Sequence, residues 1–177
     1  MSESNITHNI KLRPSVAEDE DFLVAVYGSA REQELEMVPW TAEQKEAFLR
    51  FQLTAQLQHY KAEYPNAEYS IILFEDQPAG RVYVDRRAKE IRIMDITLLT
   101  THRGKGISSP IIRRLKDEAA ACGKELSINL DKLSQSHPIF ERLGFKSTEE
   151  TGESAGADPS FHVLYVWQPG AIAATTD

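Results

Sequence analysis

Nine residues carry the most chemistry in this chain: Thr101-His102-Arg103-Gly104-Lys105-Gly106-Ile107-Ser108-Ser109. They sit between a β-branched run and an amphipathic run, so they read as a strand-to-helix turn. The first turn of a helix leaves backbone N–H groups unpaired along its axis, and the helix dipole adds about half a positive charge there. Gly104 and Gly106 let an anion approach the main chain without a Cβ in the way. Arg103 and Lys105 add formal charge, and Ser108 and Ser109 add hydroxyl donors. Together these groups predict a pyrophosphate-binding turn. The spacing is not that of a Walker A loop. A dinucleotide fingerprint is also excluded, because the third glycine is missing and the turn comes late in the chain.

The elements around the turn follow from pattern. Ile10–Arg13 is a short strand. Ser15 with Glu18, and Thr41 with Gln44, read as capping boxes opening two helices. The first carries Leu23, Val26, Tyr27 and Ala30. The second carries Phe48, Phe51 and Leu57 and stops near Tyr64-Pro65. Three strands follow as an antiparallel meander: Tyr69–Phe74, Gly80–Asp85 and Ile91–Leu99. A long helix over 104–121 places Ile107, Ile111, Leu115, Ala119 and Cys122 on one face, with Gly123 as its C-terminal cap. Leu126–Leu130 completes a βαβ unit, so this strand should run parallel to its predecessor. A short helix at Pro138–Leu143 and a closing antiparallel pair, Phe145–Thr148 with Phe161–Trp167, end the fold. The Gly- and Ser-rich stretch 150–160 reads as a mobile loop. The fold class is α/β: a mixed, mainly antiparallel sheet with one parallel βαβ step and helices on both faces. One domain spans 9–168, with flexible tails at 1–8 and 169–177.

Bulk properties narrow the function. The chain has 177 residues, 41% hydrophobic and 27% charged, as in an ordinary globular domain. No apolar run is long enough to cross a bilayer, and residues 1–8 carry no secretory signal pattern. A cytoplasmic location is the default. The net charge of −7 argues against a nucleic-acid partner. Cys122 is the single cysteine, so neither a disulfide nor a cysteine-rich zinc site is expected. His8, His59 and His162 lack metal-ligand spacing, and no metal is expected.

The segment Arg103-Gly104-Lys105-Gly106-Ile107-Ser108 resembles motif A of the GNAT N-acetyltransferases, [Arg/Gln]-x-x-Gly-x-[Gly/Ala]. Phe140-Glu141-Arg142-Leu143-Gly144-Phe145 is similar to that family's Tyr-x-Arg/Lys-Leu-Gly-Phe segment, at the expected separation. The resemblance covers about 9–168. It implies a GNAT-like fold and acetyl-CoA as cosubstrate, its pyrophosphate held by backbone amides from Arg103 to Ser109. It further implies that the fourth and fifth strands splay, so that pantetheine pairs with the edge Leu98, Leu99 and Thr100. The Leu98 amide would polarise the thioester carbonyl. The implied acceptor is an amine-bearing small molecule or peptide, and a homodimer is the family's common assembly.

Three positions depart from the pattern. Ser108 replaces Gly or Ala, and Ser134 stands where many relatives carry Asn. Phe140 replaces a tyrosine whose hydroxyl is thought to protonate the leaving thiolate. Tyr83 or water is the candidate substitute acid. Asp95, mid-strand, is the candidate base, against the plainer reading of a carboxylate bonded to nearby backbone. Trp40 and Tyr83 are candidates for the acceptor cleft, against core packing. Asp85 and Glu90 read as solvated, as do Glu34, Glu36 and His102. Two other functions stay in view: a CoA-binding module without catalysis, and a nucleotide-phosphate binder.

Overall fold

The computed structural model describes residues 9–148 and 161–170. The expectations for 1–8, for 171–177 and for the 150–160 loop up to Ser160 lie outside the described residues. The element order is β1 (Ile10–Pro14), α1 (Glu20–Ser29), α2 (Glu32–Glu36), α3 (Ala42–Glu63), β2 (Glu68–Phe74), β3 (Gln77–Arg86), β4 (Glu90–Leu98), α4 (Ser108–Ala121), β5 (Glu125–Asp131), α5 (His137–Arg142), β6 (Lys146–Thr148) and β7 (His162–Trp167). One seven-stranded mixed sheet runs β1-β2-β3-β4-β5-β7-β6, flanked by helices. The expected parallel step is present: Glu90–Ile93 of β4 pairs with Glu125–Ile128 of β5. Both β5–β7 and β6–β7 are antiparallel. None of the described helices is long and apolar enough to cross a membrane.

Local chemistry explains most boundaries. Thr41 accepts from the Gln44 amide at 3.3 Å, and the Gln44 side chain accepts from the Thr41 amide at 2.9 Å. That capping box starts α3. Glu75 and Asp76 both have positive φ, 53° and 62°, as a two-residue turn between β2 and β3 requires. Gly123, at φ 63°, ends α4.

By backbone proximity the chain divides after Asp85, after Ile93 and after Pro110. The first unit contains β1 to β3, α1 to α3, the later half of β4 and the glycine turn. Its core joins Leu23, Val24 and Tyr27 of α1 to Leu49 and Leu53 of α3 and Ile71 of β2. Each fully buried aliphatic side chain contributes about 1.5–3 kcal/mol relative to exposure. The second unit buries Ile91 and Ile93 with Ile111, Ile112, Leu115 and Ala119 of α4, Leu126 and Ile128 of β5, and Phe140, Phe145 and Tyr165. Phe140 meets Phe145 edge to face, with centroids 5.3 Å apart.

Several expectations are corrected. Among the described residues three α-helices, not two, precede β2. Ser15 caps nothing; Asp19 instead accepts from the Val16 amide at 2.9 Å and pairs with Arg13, so a short 3-10 turn at Ala17–Asp19 leads into α1. The buried stripe of α3 is Leu49 and Leu53, one turn apart. Phe51 lies about 200° from Leu49 around the axis and is 70% exposed. The long helix starts at Ser108, because the positive-φ glycines at 104 and 106 hold the preceding residues in a turn. Cys122 follows the last helical residue and is exposed. Asp85 is buried, and Glu90 is bonded to Arg87, Arg92 and Ser127. Neither acid is the solvated turn residue expected. Both fall at the ends of strands that are themselves buried.

Candidate acyl-carrier site

The glycine turn is built by β4 running out of the sheet. A 3-10 turn over Thr100–His102 is closed by the His102 amide on the Leu99 carbonyl at 2.9 Å. Arg103 is then extended, and Gly104 and Gly106 take φ of 73° and 78°. L-residues with a Cβ disfavour that region by about 1–2 kcal/mol. The amides of Gly104 to Ser109 donate to no group among the described residues. A Cβ built on Gly104 would meet nothing within 4 Å. Arg103 to Gly106 are exposed, while Ile107 is buried and anchors the turn from below. The turn is therefore an open row of main-chain donors.

Arg103 does a different job from the one expected of its charge. Its Nε donates to the Leu98 carbonyl at 3.2 Å and its Nη2 to the Ser29 carbonyl at 2.7 Å. The Ser29 hydroxyl also reaches the Leu98 carbonyl, at 3.3 Å. Arg103 thus ties the turn to the end of α1 and to the last residue of β4. Lys105 forms no ion pair among the described residues, so its charge is left for a phosphate, beside that of Arg103, whose bonds to Leu98 and Ser29 go to neutral oxygens. Burial, and then the Lys105 charge, hold the His102 imidazole below its ordinary value, so it is neutral near pH 7. Thr100 donates to Glu32 at 3.1 Å.

The remaining candidates fall into separate places. The Leu99 amide donates to the Ala79 carbonyl at 2.9 Å. Trp40 is 40% exposed and packs edge to face on Phe48, 5.1 Å between centroids. Ser134 belongs to the second unit, where its amide bonds the Asp131 carbonyl at 2.9 Å and its hydroxyl accepts from the Ser136 amide at 3.2 Å. Phe140 is 1% exposed.

Tyr83 and Asp95 are brought together, by residues that sequence reading missed. Arg81, Tyr83 and Asp85 alternate with Val82 and Val84 along β3, so all three share one face. Tyr69 of β2 is the direct partner of Tyr83. Asp95 forms an ion pair with Arg81 and accepts from the Thr97 hydroxyl at 2.6 Å. Gln56 of α3 accepts from Arg81 Nη2 at 3.3 Å. The guanidinium carbon lies 5.0 Å from the Tyr83 ring centroid and 5.5 Å from that of Tyr27. Tyr60 of α3 meets Tyr83 edge to face at 6.5 Å. Burial and the Asp95 charge, opposed by Arg81, push the Tyr60 phenol up to about 12. Burial also raises Tyr83. The available signal was the polar alternation Arg81-x-Tyr83-x-Asp85 with valine at both positions between.

Comparison with known proteins finds a matching family and similar folds. The family model described as "Acetyltransferase (GNAT) domain" matches residues 31–159. No curated protein matches. Among solved structures, the PaiA N-acetyltransferase of Thermoplasma acidophilum with coenzyme A is similar at TM-score 0.61 and 12% identity, covering 90% of this chain and 98% of that one. The ribosomal L7/L12 α-N-protein acetyltransferase RimL with coenzyme A is similar at 0.60 and 16%, covering 93% and 96%. Arabidopsis thaliana Naa50, with a bisubstrate analogue, is similar at 0.56 and 14%, covering 90% and 99%.

Proposed function

The chain belongs to the GNAT acetyltransferase family, and from that premise we propose that it moves an acetyl group from acetyl-CoA to a primary amine by direct attack in a ternary complex. The observation that carries this reading is the row of unengaged amides from Gly104 to Ser109, open on its glycine side. Such a row fits a diphosphate, and Lys105 supplies a formal charge beside it. Arg103 acts as a brace, fixing the turn so that little ordering is left to binding. CoA bound to PaiA and to RimL supports the choice of carrier.

The chemistry needs few groups. The neutral amine nitrogen attacks the thioester carbonyl carbon, forming a C–N bond and a tetrahedral oxyanion. That intermediate collapses with cleavage of the C–S bond, and the thiolate leaves with the bonding pair. The proton lost by the attacking nitrogen ends on sulfur or solvent, giving an amide and free CoA. Leu98 is assigned by resemblance to polarise the carbonyl through its amide. Its own carbonyl accepts from Ser29 and Arg103. The assignments of Leu99, Thr100, Ser134 and Phe140 to CoA contact rest on the resemblance. Asp95 is committed to Arg81 and Thr97, so the proton is better taken by water than by this carboxylate.

Isothermal titration tests the reading. Acetyl-CoA and CoA should each saturate the protein with a dissociation constant below about 1 mM, the usual upper range for substrates. No heat at millimolar ligand overturns it, and tighter binding of ATP than of CoA would favour a nucleotide-phosphate binder. One observation favours a second reading, a CoA-binding module without turnover: Phe140 offers only hydrocarbon, packed on Phe145.

A further inference from the structure

Buried arginine is costly unless its five N–H groups are met. Arg81 has a side chain only 3% exposed. Its Nη2 serves Asp95 and Gln56. Its Nε and Nη1 are buried with no hydrogen-bond partner, and so are the hydroxyls of Tyr83 and Tyr69. The Tyr83 hydroxyl lies beside the guanidinium without meeting hydrogen-bond geometry. These four atoms belong to one cluster within the first unit. Tyr69 and Tyr83 are cross-strand partners with rings 4.9 Å apart, and Arg81 is two residues along the same face of β3.

The chemistry of the unmet groups selects a guest. Guanidinium nitrogens only donate, and phenols can donate, so the guest must be rich in acceptors. The one carboxylate already on Arg81 is Asp95, whose side chain is 14% exposed and whose second oxygen accepts from Thr97, leaving the remaining lone pairs for a further donor. Asp85 lies buried near Tyr69, on the same face of β3. A fixed cation beside a fixed anion complements a molecule that carries both charges close together. A polycation would place its second charge against a guanidinium that cannot deprotonate. Tyr27, Tyr60, Tyr69 and Tyr83 supply apolar ring surface around the pair.

We propose that the Arg81–Asp95 pair with Tyr69 and Tyr83 is a recognition site for a small zwitterionic amine of the α-amino-acid class, its carboxylate on Arg81 and its ammonium on Asp95. As the identity of the acetyl acceptor, this rests on the acetyltransferase reading; as a binding site, it stands alone. Tyr60 and Gln56, on the C-terminal half of α3, cover the cluster. Entry requires these two side chains to swing aside.

The test is binding without CoA. L-α-amino acids are titrated calorimetrically, each beside its own α-carboxamide. At least one amino acid should bind 10- to 100-fold tighter than its carboxamide, the range for a hydrogen-bonded charge. Tyr83→Phe should cut that preference about tenfold while leaving the far-ultraviolet spectrum unchanged. Arg81→Lys should bring the preference near unity. Turnover with acetyl-CoA should follow the same order in KM more than in kcat. Equal weak binding of acid and carboxamide overturns the proposal, and the cluster is then filled by structural water only. If CoA fails to bind but an amino acid prefers its acid form, the acetyltransferase reading falls and this site stands. If CoA binds and polyamines bind tighter than zwitterions, the reverse holds.

Discussion

Phe140 stands where the family pattern has a tyrosine. A general acid contributes about 10²- to 10⁴-fold, and a phenyl ring contributes none. Thiols ionise near pH 8.5, so the CoA thiolate can leave without a proton in hand. Phe140→Tyr should therefore change kcat by less than about tenfold. It also places a hydroxyl against Phe145, where an unmet buried hydroxyl costs about 1–3 kcal/mol. A gain in kcat above about 100-fold would mean that the native chain has lost its acid, and would favour the module without turnover. The strand-to-helix turn was legible because glycines at 104 and 106, just before an amphipathic run, favour positive φ. The role of Arg103 was not, since its partners Ser29 and Leu98 come from another helix and from the strand before it. Asp95 and Tyr83 were singled out one at a time. Their common partner, Arg81, is 14 residues from Asp95 and meets it only once the strand register is set.

Elements were legible where local chemistry decides them. Thr41 with Gln44, and Gly123, act within a few residues, and both appear where the sequence placed them. Ser15 with Glu18 failed because Arg13, reaching back from β1, bonds Asp19 twice, at 2.7 and 2.6 Å. That contact competes with the cap. In α3 Leu57 packs on the core as its place in the sequence suggested, whereas Phe51 falls on the outer face because the 3.6-residue period sets which side meets α1. β3 and the end of β4 approach closely at Gly80. A Cβ on Gly80 would lie 2.3 Å from the Thr97 carbonyl oxygen and 3.0 Å from the Leu98 Cα. Backbone cannot give way as a side-chain tip can. Gly80→Ala should cost about 1–3 kcal/mol in urea unfolding and should weaken CoA binding through Leu98. An unchanged urea midpoint would mean that the two strands lie further apart than described.

At the scale of the whole chain, charge governs how stability responds to acid. The protein carries −7 at pH 7 and reaches neutrality near pH 5.3. Among the described residues four carboxylates, Asp19, Glu43, Glu90 and Glu118, are held below their ordinary values, and three of them are paired with arginine. For Asp19 the Arg13 hydrogen bonds outweigh burial, helped by the Val16 amide. For Glu90 burial alone would raise it, but Arg92, Ser127 and Arg87 together reverse that. For Glu118 the Arg86 hydrogen bond dominates. A depressed carboxylate binds fewer protons folded than unfolded, so its stabilising effect is present above the unfolded value and is lost as pH falls through the folded one. Unfolding free energy should therefore be flat from pH 7 to about 5 and fall steadily below about 4.5, near the ordinary value of a glutamate. Asp19→Asn should lower stability at pH 7 by about 1 kcal/mol, allowing for screening at part-exposed Arg13, and should make the acid decline shallower. Urea midpoints at pH 7 and pH 4 measure both effects. Equal midpoints for the native chain at the two values would show that these three pairs contribute nothing to the folded state.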